Sequence, residues 1–135
     1  MNKVMIAVLG LLLTGSAAAD DVSKSNRMLC SISKVLVCFE GVDCLSVLPF
    51  EVGVPRFIIV DVKKKLLTTT KASAENRSTP VANVLREEGR ILLQGVEQGR
   101  AYGILIDEES GELTGAVARD ALTVSAFGAC TDTDI

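Results

Sequence analysis

Short apolar runs alternate with turn residues along most of this chain. From Val54 onward the runs recur at spacings of about eight to twelve residues, which is typical of a β sandwich or barrel. The loops between them are short, so consecutive strands should be antiparallel neighbours. We therefore predict an all-β fold, an antiparallel up-and-down meander of about eight strands that closes into a small β-barrel. The predicted strands are residues 28–38, 44–50, 56–61, 66–70, 81–86, 90–96, 101–107, 112–118 and 122–128.

Most of these strands have one apolar face, as in the alternation Leu122, Val124, Ala126. Residues 102–106 are apolar on both faces, which indicates a strand buried on two sides. Three glycines fall inside predicted strands, where glycine commonly marks a bulge or a bend that suits a closed barrel. They are Gly95, Gly103 and Gly115.

Residues 79–89 are ambiguous between strand and helix. Thr79 suits a helix N-cap, Pro80 the first helical position and Gly89 the helix end. Val81 and Val84 fit a strand equally well, and the residue before a proline prefers extended backbone. We favour the strand and keep the helix as the alternative, while residues 71–78 are predicted to be a polar loop.

The first 19 residues have the three-part layout of a secretory signal peptide. Lys3 precedes an apolar run, residues 4–13, and small residues follow it. The run is about half the roughly 20 residues needed to cross a membrane as a helix. We predict cleavage after Ala19, no membrane anchor afterwards, and a periplasmic or secreted product. The expected organisation is a signal peptide at 1–19, a flexible start at 20–27, one β domain at 28–131 and a tail at 132–135.

The charge of the mature chain argues against a nucleic-acid partner. Removing residues 1–19 leaves 116 residues with 13 basic and 17 acidic side chains, a net charge of −4. Binding to phosphates needs a basic face, and the one basic cluster is Lys63, Lys64 and Lys65.

Four cysteines in an exported chain predict two disulfides, with three possible pairings. If residues 30–38 form one strand, its ends lie about 26 Å apart, beyond the ~7 Å limit on Cα separation. Gly41 and Asp43 permit a turn that brings Cys38 to Cys44. We therefore expect Cys38–Cys44 and Cys30–Cys130, with the first and last strands side by side. A zinc site is not expected, because the chain has no C-x-x-C pair and no histidine.

The residue types needed for catalysis are scarce. Without histidine, the commonest general base and the Ser-His-Asp arrangement are absent, and two disulfides would leave no free thiol. The acidic hairpin at residues 107–112 lacks the ligand spacing of a calcium loop and fits a solubilising turn. We therefore expect no enzyme activity, no metal and no cofactor.

The expected function is a non-enzymatic binding or interaction module, whose partner is an unknown protein or a small apolar ligand. One alternative is a carrier that holds an apolar ligand in the barrel mouth, beside the doubly apolar strand. Another is an inhibitor of a periplasmic or host hydrolase that presents the hairpin at residues 108–111. The candidate contact residues are Tyr102, Glu108 and Glu109, although Tyr102 also fits packing in the barrel wall.

Residues 91–102, followed by 106–111 and 127–131, resemble a group of small uncharacterised exported proteins of proteobacteria. The resemblance lies mainly over residues 91–131, with support from Val54-Pro55-Arg56-Phe57 and the earlier cysteines. It implies an exported, compact, disulfide-bonded domain, and it implies no catalytic or ligand-binding residue.

Overall fold

A computed structural model describes residues 20–133, so the expected signal peptide lies outside the described residues. The described chain forms ten strands and one short 3₁₀ helix. The strands are β1 (Arg27–Phe39), β2 (Leu45–Val47), β3 (Phe57–Asp61), β4 (Leu66–Thr69), β5 (Ser78–Pro80), β6 (Asn83–Glu87), β7 (Arg90–Glu97), β8 (Arg100–Asp107), β9 (Glu112–Arg119) and β10 (Leu122–Asp132). The 3₁₀ helix is Pro49–Val52.

All ten strands belong to one antiparallel sheet. Nine of them follow the order β5-β4-β3-β1-β10-β9-β8-β7-β6, and β2 pairs with β1 beside this path. The long strand β1 pairs with β10 on one side, while on the other side it pairs first with β3 and then with β2. The sheet curls into a half-barrel, which confirms the predicted all-β antiparallel meander. Among the described residues no ladder joins the two end strands, β5 and β6, so the sheet is a half-barrel and the predicted closed barrel is not formed by strand pairing. The chain between β5 and β6 connects the two ends.

The chain passes from β5 to β6 through only Val81 and Ala82, which we call the seam. The Val81 amide donates to the Lys65 carbonyl at 2.9 Å, beside β4, and the Ala82 amide donates to the Gln94 carbonyl of β7, also at 2.9 Å. The extended alternative for residues 79–89 is therefore correct and the helical one is wrong. Strand β5 begins at Ser78, the last residue of the predicted polar loop, and its other two residues lie in the ambiguous segment 79–89. The sequence did not predict it as a strand separate from β6.

Both expected disulfides are present, Cys30–Cys130 and Cys38–Cys44. Cys30 and Cys130 stand opposite each other in the β1–β10 ladder, and Cys38–Cys44 closes the turn between β1 and β2. Two disulfides indicate an oxidising compartment, because cytosolic thiols are normally kept reduced. In residues 20–133 we find no helix with the length and apolarity that a membrane crossing requires.

One end of the half-barrel, which we call the closed end, is packed with buried side chains and covered by the start of the described chain. Val22 and Ser25 are each 1% exposed, so part of the segment predicted to be flexible belongs to the domain. The Val22 amide donates to the Glu108 carbonyl at 2.7 Å. The fully buried residues packed here include Met28, Val60, Ile91 and Ile106. At the other terminus β10 continues to Asp132 and the Thr133 amide donates to the Arg27 carbonyl, while residues 134–135 lie outside the described chain.

Two local predictions need correction. The predicted strand at 44–50 is shorter, because Pro49 fixes φ and starts the 3₁₀ helix, which ends at Gly53 with φ of 68°. The strand glycines do not mark bulges: the ladders through β7, β8 and β9 keep their register, and the irregularity lies between Ile32 and Lys34.

The doubly apolar strand β8 is likewise not covered by a second layer. Its outward Leu105 stands opposite Leu92 and remains partly exposed.

Removing the long-range disulfide should cost more stability than removing the local one. The double variant Cys30→Ala/Cys130→Ala should lower the free energy of unfolding by about 4–5 kcal/mol, and Cys38→Ala/Cys44→Ala by about 2 kcal/mol. The reason is loop length, since the bridges span 100 and 6 residues. Urea denaturation followed by circular dichroism measures both values, and a larger loss from the local pair would contradict the argument.

Candidate functional site

The end of the half-barrel opposite the packed core contains a cavity of about 280 Å³, which we call the mouth cavity. It lies between the inward faces of the curled sheet and the segment that follows the 3₁₀ helix. Its apolar lining includes Ile32, Val54, Ile58, Leu67, Ile104, Leu113, Val117, Leu122, Val124 and Ala126. A wider depression of about 540 Å³ lies over the outer face of β7, β8 and β9 but is more open to solvent, so the mouth cavity is the more enclosed of the two.

Small residues on the inward faces of β9 and β10 leave this space open. Gly115 lies between Leu113 and Val117 on β9, opposite Ala126 on β10. A Cβ atom built at Gly115 would lie 3.7 Å from its nearest neighbours, which is ordinary van der Waals contact. Close packing therefore does not require a glycine at this position. The missing side chain of Gly115 adds volume to the cavity.

Tyr102, a predicted contact residue, forms part of the cavity wall. Its ring covers Gly95 on the neighbouring strand, where a Cβ atom would come within 2.5 Å of the Tyr102 Oη. The hydroxyl donates to the Pro80 carbonyl at 2.6 Å, so it bonds to the residue just before the seam. Burial raises the pKa of Tyr102 above its usual value, and the nearby charge of Glu97 adds to this. Tyr102 thus offers a ligand an apolar ring face, with its hydroxyl already engaged.

An ion pair between Arg77 and Glu97 forms one side of the rim. Two parallel bonds join them, Nη2 to Oε2 at 2.8 Å and Nε to Oε1 at 3.2 Å. Arg77 also donates from Nη1 to the Gly53 carbonyl at 2.9 Å, which ties the 3₁₀ helix end to the rim. The hydrogen bond from Arg77 lowers the pKa of Glu97, and the same bond raises the pKa of Arg77. Both groups are therefore charged at neutral pH.

Two further arginines line the cavity on the other side of the rim. Arg100 begins β8 and Arg119 ends β9. The ladder between β8 and β9 ends with Ala101 opposite Ala118, and each arginine lies one residue beyond this pair. Arg100 donates to the side-chain oxygen of Gln98 at 2.9 Å. Within residues 20–133 neither arginine forms an ion pair.

The other predicted contact residues, Glu108 and Glu109, lie at the closed end and far from the cavity lining. Glu108 is not an exposed probe, as the inhibitor hypothesis required, because it pairs with Arg86 and its side chain is only 12% exposed. Glu109 is exposed. The backbone amide and the hydroxyl of Ser110 both donate to the Asp107 carboxylate, and these bonds hold the turn between β8 and β9. They also lower the pKa of Asp107. In the described chain no cluster of three or more acidic, cysteine or histidine side chains is placed to bind a metal.

The charged rim was missed from the sequence. Glu97, Arg100 and Arg119 occupy the inward positions of their strands, two residues beyond apolar or glycine positions in the same alternation. A charged residue on an apolar face, at a strand end, is the signal that would have identified them. Arg77 gave no such signal, because it falls in the predicted polar loop.

We compared the chain with models of protein families, with curated proteins and with solved structures, and none of them matches it. The resemblance to small exported proteins of proteobacteria stays a prediction.

The Arg77–Glu97 ion pair should make stability depend on pH in the acidic range. Since the pKa of folded Glu97 lies below the ordinary 4.5, its contribution is present above that pH and is lost as the pH falls through the folded value. Glu97→Gln should lower the free energy of unfolding at pH 7 by roughly 1 kcal/mol or less, the range for ion pairs that water reaches.

The measurement is urea denaturation of both proteins between pH 7 and pH 3 (about the range in which carboxylates titrate). The difference between wild type and Glu97→Gln should shrink toward the acidic end. Glu109→Gln is the matched control, because Glu109 is exposed and forms no ion pair in the described chain. A difference that stays constant with pH would contradict the assigned role of Glu97.

Proposed function

We propose that this domain is a non-enzymatic binding module that holds a small, largely apolar molecule in the mouth cavity. The observation that carries the proposal is the cavity itself, apolar inside and open at one end of an otherwise packed half-barrel. Its volume of about 280 Å³ is close to the lower end of the range for ligand pockets, ~300 Å³.

The surroundings of the cavity support binding over catalysis. Three of its four hydroxyl groups are engaged in structural bonds: Tyr102 with the Pro80 carbonyl, Thr69 with the Glu75 carbonyl, and Thr79 with Glu97. No lysine lines it, the chain has no histidine, and all four cysteines are in disulfides. An activated nucleophile needs an adjacent base within hydrogen-bonding distance. The one carboxylate that lines the cavity, Glu97, is held in its ion pair with Arg77, and its lowered pKa makes it a weak base.

We further propose that the domain works in the periplasm or is secreted. Two observations support this location: the signal-peptide pattern of residues 1–19 and the two disulfides, which persist in oxidising compartments.

Filling the cavity should abolish binding without unfolding the domain. The substitution Ala126→Phe places a ring into the space beside Gly115. The variant should therefore bind 1-octanol, a neutral apolar probe, at least about tenfold more weakly than wild type does. Titration followed by two-dimensional NMR measures the affinity and reports whether the shifted amides belong to the cavity lining. Circular dichroism checks that the variant keeps its fold.

Ala129→Phe is the matched control on the same strand. Ala129 is exposed on the outward face of β10, so this variant adds the same ring and should bind 1-octanol as wild type does. The proposal fails if wild type does not bind the probe, or if both variants bind it equally.

A further inference from the structure

The mouth cavity carries an unbalanced positive charge at its rim. Four charged residues line it, and three of them are arginines: Arg77, Glu97, Arg100 and Arg119. Glu97 forms its hydrogen-bonded ion pair with Arg77, and it also stands opposite Arg100, whose charge contributes to the lowered pKa of Glu97. One carboxylate therefore faces three guanidinium groups, an excess of two positive charges among the residues that line the cavity. The whole chain has a net charge of −3, so this local excess is not a consequence of a basic protein.

The fold places these two arginines beside each other. They lie at the mouth ends of β8 and β9, which are hydrogen-bonded to each other, one residue beyond the pair Ala101 opposite Ala118. Both occupy inward positions, Arg100 in line with Tyr102 and Ile104, and Arg119 in line with Val117. Arg100 contacts only the neutral Gln98 side chain by hydrogen bond, and Asp120, which follows Arg119, is exposed and does not line the cavity.

A pair of guanidinium groups at the entrance of an apolar cavity favours one kind of ligand. Guanidinium groups bind carboxylates through planar, two-point hydrogen bonds, which are stronger than bonds between neutral groups. An apolar chain gains free energy when it leaves water for the cavity interior. A ligand that combines both parts satisfies the lining and the rim together.

We propose that the mouth cavity selects an anionic amphiphile of medium chain length, with its apolar chain inside the cavity and its carboxylate bound by Arg100 and Arg119. This inference rests on the proposed function, because it assigns the ligand class of the same cavity. The volume of about 280 Å³ lies close to the lower end of the range for ligand pockets and so restricts the ligand to a small one, for which an octyl chain is a suitable probe.

Three probes with the same octyl chain and different head groups test the charge preference. They are octanoate, 1-octanol and octyltrimethylammonium, titrated into the purified protein and followed by calorimetry and NMR. Octanoate should bind roughly tenfold tighter than 1-octanol, and the cation more weakly than either. Raising the salt concentration should weaken octanoate more than 1-octanol, because salt screens the partly exposed arginines.

Charge-removing variants then locate the preference. In Arg100→Gln/Arg119→Gln the octanoate-to-octanol affinity ratio should fall from roughly ten to about one, with intermediate ratios in the single variants. Arg90→Gln is the matched control, since Arg90 is an exposed arginine that begins β7 at the closed end and does not line the cavity. It removes one positive charge, as each of the single variants does, and should keep the wild-type ratio.

The outcomes separate this inference from the proposed function. If 1-octanol binds in the cavity but octanoate binds no tighter, or if its advantage survives in Arg100→Gln/Arg119→Gln, the assigned head group is wrong and the cavity site stands. If none of the three probes binds wild type, the cavity site itself is refuted and the head group with it.

Discussion

The half-barrel depends on a two-residue seam where one chain segment serves both ends of the sheet. Successive residues of an extended chain direct their N–H groups to opposite sides, and here Val81 bonds toward β4 while Ala82 bonds toward β7. Neither amide is left unpaired, so the curl does not leave a buried donor unsatisfied. Side chains reinforce the same junction, since Arg77 on one sheet end pairs with Glu97 on the other, and Tyr102 bonds to the Pro80 carbonyl. The seam therefore gives the sheet an enclosed inner face.

That inner face is divided between stability and binding. At the closed end, Arg86 pairs with Glu108 and donates to the carbonyls of Val22 and Ser25, at 3.2 and 2.7 Å, which holds the start of the described chain over the core. The bond to Ser25 gives its carbonyl a partner under the covering segment, while the Val22 carbonyl also accepts from the Ser25 amide at 3.0 Å. At the mouth, small and charged residues stand among the inward apolar side chains, and the space between them is not filled. The same strands thus contribute core at one end and cavity lining at the other.

The sequence predicted the parts of this structure that depend on local pattern or chain geometry. Both disulfides followed from strand length and one turn, and most strands followed from alternation and turn residues. Strand β5 and the seam were hidden, because a strand that changes partners after Pro80 has no continuous apolar face, and β6 buries little. The rim was hidden for another reason. Arg77 and Glu97 are 20 residues apart and meet only because the sheet ends meet, which is a property of the curl and of no single segment.

The cavity has an energetic consequence that connects the disulfides to binding. Protein interiors are normally close-packed, and a void the size of the mouth cavity forfeits contacts that a filled core would make. A small domain has little spare burial to offset this loss. The cross-link between Cys30 and Cys130 offsets it differently, because it destabilises the unfolded chain and requires no additional core. A ligand that occupies the cavity restores the missing contacts and stabilises the folded state by mass action. The disulfides thus allow the domain to keep its mouth unfilled, and the seam allows the sheet to enclose it.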